Sequence, residues 1–421
     1  YTGDEAFLRE KAYPAFLEIL DFYREISEKD GDGIRHIRYD ICPEQGPVAE
    51  DTVITTAALK QLAADALRAA EILDRPEREK EQIGELLSGM PEYARTADQK
   101  RWKDSASVQD HVFLRHPSVL MPVFPAGEVH AGSPEQLRET AENAIRYAAE
   151  NTEVGTFGSE WIAAAAARMG AGESAVRILC EKGLDLMTHT NGLGYEESER
   201  FINYCHLTKP ANYLPVMCEF SGGVTEVINL LLLQEIDGVI HVFPAIPDGK
   251  DRYAAQKTQY AADGRYLSEK YGPWQECSFE GLLAPGGFEV SAGMREGRTA
   301  WIRVHCTADA TLRIWLPEEI GGRVFSGEMH AGETVCFGEA EPSGANAQKD
   351  EENYAGDENP EVLVHHAAHT HRRIFLGENE DTEFYKAVDA FVCPYGYAEQ
   401  LHYPMTPYVF DFTNDRAKQY D

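Results

Sequence analysis

Two carboxylates carry the chemistry this sequence is equipped for. Glu44 lies in Tyr39-Asp40-Ile41-Cys42-Pro43-Glu44-Gln45-Gly46-Pro47, and Glu219 lies in Met217-Cys218-Glu219-Phe220-Ser221-Gly222-Gly223. Cleavage of a glycosidic bond needs a proton for the departing oxygen. It also needs help, on the opposite face of the sugar, for an attacking water or a nucleophile. Glu44 suits the first role. Pro43 and Pro47 each fix a φ angle and remove a backbone donor, and Pro43 restricts Cys42, so the carboxyl is presented on a stiff loop. An apolar setting would keep it protonated near neutrality. Taken alone, a Cys-Pro-Glu tripeptide reads more readily as a surface turn, so its context decides.

Other side chains extend the candidate site. Trp102 and Trp161 offer ring faces against which the C–H groups of a pyranose could pack, although Trp161, on an alanine-rich helix, also suits a core position. His116, between Leu114 and Val119, could bond a sugar hydroxyl or be a satisfied structural residue. Glu160 and Glu226 read as solvated or structurally paired carboxylates. His365 and His369 have a spacing that would hold zinc on a helix, but they follow a loop-like acidic stretch and read as a non-metal cluster. Asp30-Gly31-Asp32-Gly33 lacks the spaced ligands and closing Glu of a calcium loop and reads as a turn. No metal and no cofactor are expected. There is no Walker sequence, no GxGxxG and no GxSxG elbow, which leaves nucleotide and serine-hydrolase readings without support.

Composition narrows the partners. A chain of 421 residues with 43% hydrophobic and 10% aromatic content can build two or three cored domains. A net charge of −32 argues against nucleic acid and anionic lipid and leaves neutral substrates. The most apolar run, Val224 to Leu233, is far too short to span a membrane. Eight cysteines are scattered without CxxC spacing, as expected of reduced thiols in a compartment such as the cytoplasm. The chain opens on Tyr1 with neither an initiator Met nor a signal segment, so the natural polypeptide is expected to start upstream, and localisation stays open.

The elements that must position these groups are helical first and β later. Thr2-Gly3-Asp4 caps a helix expected to end or kink at Pro14, and a second segment carries Phe16, Leu17, Leu20 and Tyr23 on one face. Further helices are expected near 53–73, 77–87, 134–150, 159–169, 173–181 and 224–235. Gly170-Ala171-Gly172 makes an αα-hairpin of the 159–169 and 173–181 pair, and repeated hairpins of this kind suggest a helical toroid. Val239 to Phe243 reads as a short strand. From about Cys277, short β-branched and aromatic runs with Gly-rich turns read as a β-sandwich. The stretch from Glu339 to Glu361 reads as an acidic loop, and Arg372 to Phe412 as aromatic strands. The expected division is 1–270, helical and bearing the site, and 271–421, β-sandwich-like.

The order of motifs resembles glycoside hydrolase family 95, the α-L-fucosidases and α-L-galactosidases built on an (α/α)6 barrel. The likeness spans roughly Tyr1 to Val290. It is carried by Tyr1-Thr2-Gly3-Asp4 with Phe7-Leu8-Arg9 and Ala12-Tyr13-Pro14, and by Ile41-Cys42-Pro43-Glu44. It continues in Arg115-His116-Pro117-Ser118 with Phe124-Pro125, and in Leu230 to Gln234 with Asp237-Gly238, Phe243-Pro244-Ala245 and Pro247. The resemblance implies that Glu44 is the general acid and that His116 belongs to a substrate-site segment. The family activates water with an Asp supported by two Asn residues. Here Glu219 is the nearest acid, and the Asn pair would lie upstream of Tyr1.

The expectation is therefore an exo-acting, inverting glycosidase of the α-L-fucosidase kind, with catalytic Glu44 and Glu219 and with His116, Trp102 and Trp161 on the substrate. Inversion implies carboxyls about 6.5–9.5 Å apart. About seven helices are legible where such a barrel needs twelve, so a companion barrel half or self-association is expected to cover the apolar edge. The alternative is a catalytically silent carbohydrate-binding or scaffold half-protein. A glycoside phosphorylase is a third reading, for which Lys209 is the nearby cation.

Overall fold

The structure, a computed structural model, describes residues 2–43, 45–111, 114–152, 157–183, 194–195, 216–253 and 271–339. Glu44, Lys209, the His365–His371 cluster, nearly all of the acidic stretch from 339 to 361 and the strands expected over 372–412 lie outside these residues.

The first helix does not break at Pro14. Asp4 caps its start by accepting the Phe7 amide at 2.9 Å, and α1 (Tyr13–Ile26) continues from it through one π turn, Leu8–Ala12. Tyr13 donates to the carbonyl of Leu8, five residues back. This wider turn answers the lost amide and bulky ring of Pro14, which a regular helix cannot hold without a clash. α2 (Val53–Ile72) and α3 (Glu77–Ser88) form the first αα-hairpin. Ala63, Ala66 and Ala70 of α2 close a small core with Leu20, Ile83 and Leu86.

The main helical core gathers α4 (Glu135–Asn151), α5 (Gly158–Arg168), α6 (Gly172–Ile178) and α7 (Cys218–Leu232). α5 is buried from Gly158 to Ala167 and packs against the other three. Its run Ala163 to Ala167 puts no side chain beyond Cβ between neighbouring backbones, so the axes can lie close. Gly170, at φ +70, makes the turn into α6 as the sequence implies. α5 and α7 run parallel: Glu160 meets Gly223 near their starts, and Gln234, just after α7, bonds the Ala167 carbonyl and Arg168 at the end of α5.

α7 differs from the sequence expectation at both ends. It begins at Cys218, six residues before the expected Val224, and it stops at Leu232. Leu233–Ile236 is a strand, β3, paired antiparallel with β4 (Val239–Val242). The β-rich part follows in β5 (Cys277–Ala284), β6 (Phe288–Arg295), β7 (Arg298–Cys306), β8 (Ala310–Leu316), β9 (Arg323–Met329) and β10 (Thr334–Gly338). They form two four-stranded sheets, in the orders β10-β7-β6-β5 and β9-β8-β4-β3. The 233–242 hairpin, read from sequence within the helical part, thus supplies half of the second sheet, with β8 parallel to β4 through Ile314–Ile240 and Trp315–His241. Val290, Ile302, Val304, Leu312, Ile314, Ile240 and Val242 share one apolar cluster drawn from both sheets.

A small hairpin completes the frame: β1 (Asp40–Cys42) pairs with β2 (Gln45–Ala49). Asp40 anchors it. Its carboxylate accepts the Thr52 hydroxyl at 2.6 Å, the Thr52 amide at 3.2 Å and the Thr55 hydroxyl at 3.0 Å, all at the start of α2. An anion there also meets the positive end of the helix dipole. Asp40→Ala is expected to cost about 1–2 kcal/mol, the scale of a lost helix cap, seen as a lower urea midpoint at constant slope.

Candidate active site

The hairpin that flanks Glu44 is tied to the His116 segment by buried polar contacts. The Cys42 thiol is buried beside Asp104 and Ser118. Ser118 donates its hydroxyl to Asp104 Oδ1 at 2.6 Å, and the Asp104 carbonyl accepts the Val53 amide at 2.8 Å. Burial, reinforced by the Asp104 charge, pushes the Cys42 thiol far up, so it is an inert packing group and no nucleophile. Ser118–Leu120 is a single 3-10 turn touching α2, α4 and α5, so the residues just before it are held against three helices.

From there an aromatic run leads to α5. The ring of His116 meets Phe157 edge-on at 5.8 Å, and Phe157 meets Trp161 at 5.3 Å. Phe157 has φ +92, a conformation that costs a bulky residue of order 1–3 kcal/mol. The conformation is secured by Glu160, whose Oε2 accepts the Phe157 amide at 2.8 Å and whose Oε1 accepts the Ser159 hydroxyl at 3.2 Å. Glu160 is 2% exposed, and burial pushes its carboxyl up to about 7 against the effect of these donors.

α7 closes the arrangement. A Cβ at Gly223 would stand 2.6 Å from Glu160 Cβ and 2.7 Å from its Cγ, so only glycine lets α7 cross the start of α5 here. Glu219 lies one turn earlier and Glu226 one turn later on the same face of α7. Glu219 is exposed in the first turn. Burial raises the Glu226 carboxyl, opposed by the positive charge of Arg168. The starts of α2, α5 and α7 are therefore joined by one contact path: Cys42 to Ser118, His116 to Phe157, Glu160 to Gly223. Helix starts carry partial positive charge, which favours anionic carboxylates and developing negative charge near them.

The sequence candidates divide within this frame. His116 and Trp161 are joined through Phe157, and Glu219 sits on the helix start that follows. Trp161 is 6% exposed and its indole N–H donates to the Phe124 carbonyl at 2.5 Å, which makes it a wall of the site rather than an open platform. Trp102 is a correction: at 1% exposure, edge-on to Tyr93 at 6.1 Å, it belongs to the core and has no face for a sugar. Phe157 was missed because an aromatic residue at a helix start gives no capping signal; a Glu three residues on was the trace available. Among the described residues Cys42, Cys277, Cys306 and Cys336 are free thiols, and no helix is long and apolar enough to cross a membrane.

Residues 1–197, which contain the β1–β2 hairpin, His116 and the start of α5, match the Glycosyl hydrolase family 95 catalytic domain. The chain is related to glycosyl hydrolase family 95. It is also similar to the Alpha-L-fucosidase 2 of Arabidopsis thaliana, at 24% identity over 313 residues covering 70% of this chain and 33% of that protein. The chain spans about a third of the length of the curated protein it matches.

Two measurements probe this frame. The folded pKa of Glu160 exceeds its ordinary value of 4.5, so its contribution to stability is fully present below about pH 4.5 and is lost as pH rises toward 7. Urea midpoints of the native chain should fall across that window by more than those of Glu160→Gln; parallel profiles would remove Glu160 as the source. Gly223→Ala should lower stability by about 1–3 kcal/mol through overpacking, read from thermal or urea unfolding.

Proposed function

We propose that this chain is an exo-acting, inverting glycoside hydrolase acting on α-L-fucoside-like bonds. In this reading Glu44 protonates the departing glycosidic oxygen, and Glu219 orients or deprotonates the water that attacks the opposite face of the sugar. The observation that supports it most is the contact path from Cys42 to Gly223. It gathers the neighbours of Glu44, the His116 segment and the helix start bearing Glu219, within a family 95 match that covers the first two of these.

The chemistry follows from the groups involved. A general acid must hold its proton at the working pH and release it as the C–O bond breaks. Pro43, just before Glu44, and Pro47, three residues after, each fix a φ angle and so limit the entropy lost in aiming it. Glu219 lies in the exposed first turn of α7, open to an attacking water. Phe157 and His116 offer an aromatic edge and a polar ring to the sugar; among the described residues, Phe157 is an exposed large hydrophobic at 43%. The acidic chain and the related fucosidase name both favour a neutral glycoside.

The test is sugar release from aryl α-L-fucosides and α-L-galactosides. Glu44→Gln and Glu219→Gln should each lower turnover about 10²–10⁴-fold. The Glu44→Gln loss should shrink with a dinitrophenyl leaving group, which departs without protonation, while the Glu219→Gln loss should persist. The first-formed anomer, read by proton NMR, should be inverted. Native-level release from Glu44→Gln would remove the assignment, and no release by any variant would favour a silent carbohydrate-binding role.

A further inference from the structure

One groove lies away from the contact path just described. It measures about 750 Å³ and lies where the loops after β4 and before β5 meet the outer side of the second sheet. Its walls include Trp274, Trp315 and His241, and its rim includes Gln275, Glu296 and Glu319. We propose that this groove is a second, non-catalytic binding site for a neutral glycan chain.

The two indoles are presented by independent means. Along β8, Leu312, Ile314 and Leu316 face the core, so Trp315 faces outward, half-buried, with His241 as its ladder partner on β4. Trp274 is fixed from the other side: its amide donates to the Pro247 carbonyl at 3.1 Å and its indole N–H to the Tyr271 carbonyl at 2.9 Å. Locked, half-buried aromatic faces bind the C–H side of a pyranose at little cost in side-chain entropy. The volume falls within the range of ordinary ligand sites.

The polar groups select the ligand class. Among the described residues the groove is lined by the carboxylates Asp248, Glu296 and Glu319 and by no Lys or Arg, which disfavours anionic ligands. Two of the three carboxylates are already engaged: Asp248 Oδ2 with Arg252 at 2.8 Å, and Glu319 Oε1 with the Thr299 amide at 2.7 Å. Arg252 offsets the Asp248 charge, while the Thr299 amide orients the Glu319 carboxylate without neutralising it. Burial, then the nearby His130, lowers the His241 pKa and keeps the imidazole neutral, able both to donate and to accept. Carboxylate and amide oxygens beside stacked rings suit hydroxyls. The rim is rigid, since the Gly297 amide of the β6–β7 turn donates to the Gln275 carbonyl at 2.9 Å.

The experiment is affinity electrophoresis of the whole chain through gels containing neutral polysaccharides (xyloglucan, methylcellulose, dextran), an anionic one (polygalacturonate) or none, with oligolysine as a cationic competitor. At least one neutral glycan should retard the native chain. Trp274→Ala and Trp315→Ala should each weaken that retardation about ten-fold or more, with aryl-glycoside release at native level. Gln275→Ala and Glu296→Lys, both at exposed rim positions, report on the groove should a Trp variant unfold; each should weaken retardation without lowering the unfolding midpoint. No retardation by any neutral glycan, retardation indifferent to all four substitutions, or displacement by oligolysine would overturn the proposal. Because aryl glycosides report only on hydrolysis, failure here is separable from failure of the hydrolytic reading.

Discussion

The contact between Glu160 and Gly223 governs the helical part of this protein. An ionisable side chain is held almost fully out of water at the start of α5, and the backbone of α7 lies on its methylenes where any side chain would collide. Two helices can then run parallel with their starts at one end, the alanine run of α5 accommodating the approach further down. The carboxyl that makes this possible also bonds the strained Phe157 amide, so one residue fixes a helix entry, an aromatic edge and a helix crossing. A buried carboxylate satisfied on both oxygens costs less than an orphaned one, but it is still costly relative to an apolar residue. Its place here fits a demand for one specific geometry.

The remaining site geometry is layered on that crossing. Asp40 joins the β1–β2 hairpin to α2, Asp104 and Ser118 join α2 to the His116 turn, and the rings of His116, Phe157 and Trp161 carry the linkage to α5. Each joint is a short polar bond or an edge-on ring contact. Such joints are directional, unlike apolar packing, and they hold orientation as well as distance. That is what acid–base chemistry between two separated carboxylates demands of its scaffold.

Much of this was legible in the sequence, and the misses have physical causes. Apolar spacing located α2, α3, α4 and α5 to within a residue or two. Pro14 was recognised as a helix problem, but a π turn solves it, and no single-residue preference signals that solution. The helix expected near 224–235 starts earlier and passes through Gly222 and Gly223, because the lack of a Cβ at 223 is worth more in packing than glycine costs in propensity. Leu233 and Gln234 read as helix from their composition, yet pairing with β4 makes them strand, a tertiary choice that overrides local preference. Trp102 shows that residue type does not say which way a ring faces. The resemblance to family 95 supplied what no periodicity could: which of many carboxylates to watch.

α7 enters β3 without a linker, and the chain fastens that passage with the Phe243 amide on the Leu232 carbonyl at 2.7 Å and Arg168 on Gln234 at 3.0 Å. The β-rich part is consequently not a detachable module. A piece of chain beginning at 271 would lose two of the four strands of its second sheet. It would bare β8, apolar on its inner face, as an open edge, the kind that recruits foreign strands and aggregates. In evolutionary terms α7 and the second sheet it enters can be inherited or shuffled only together.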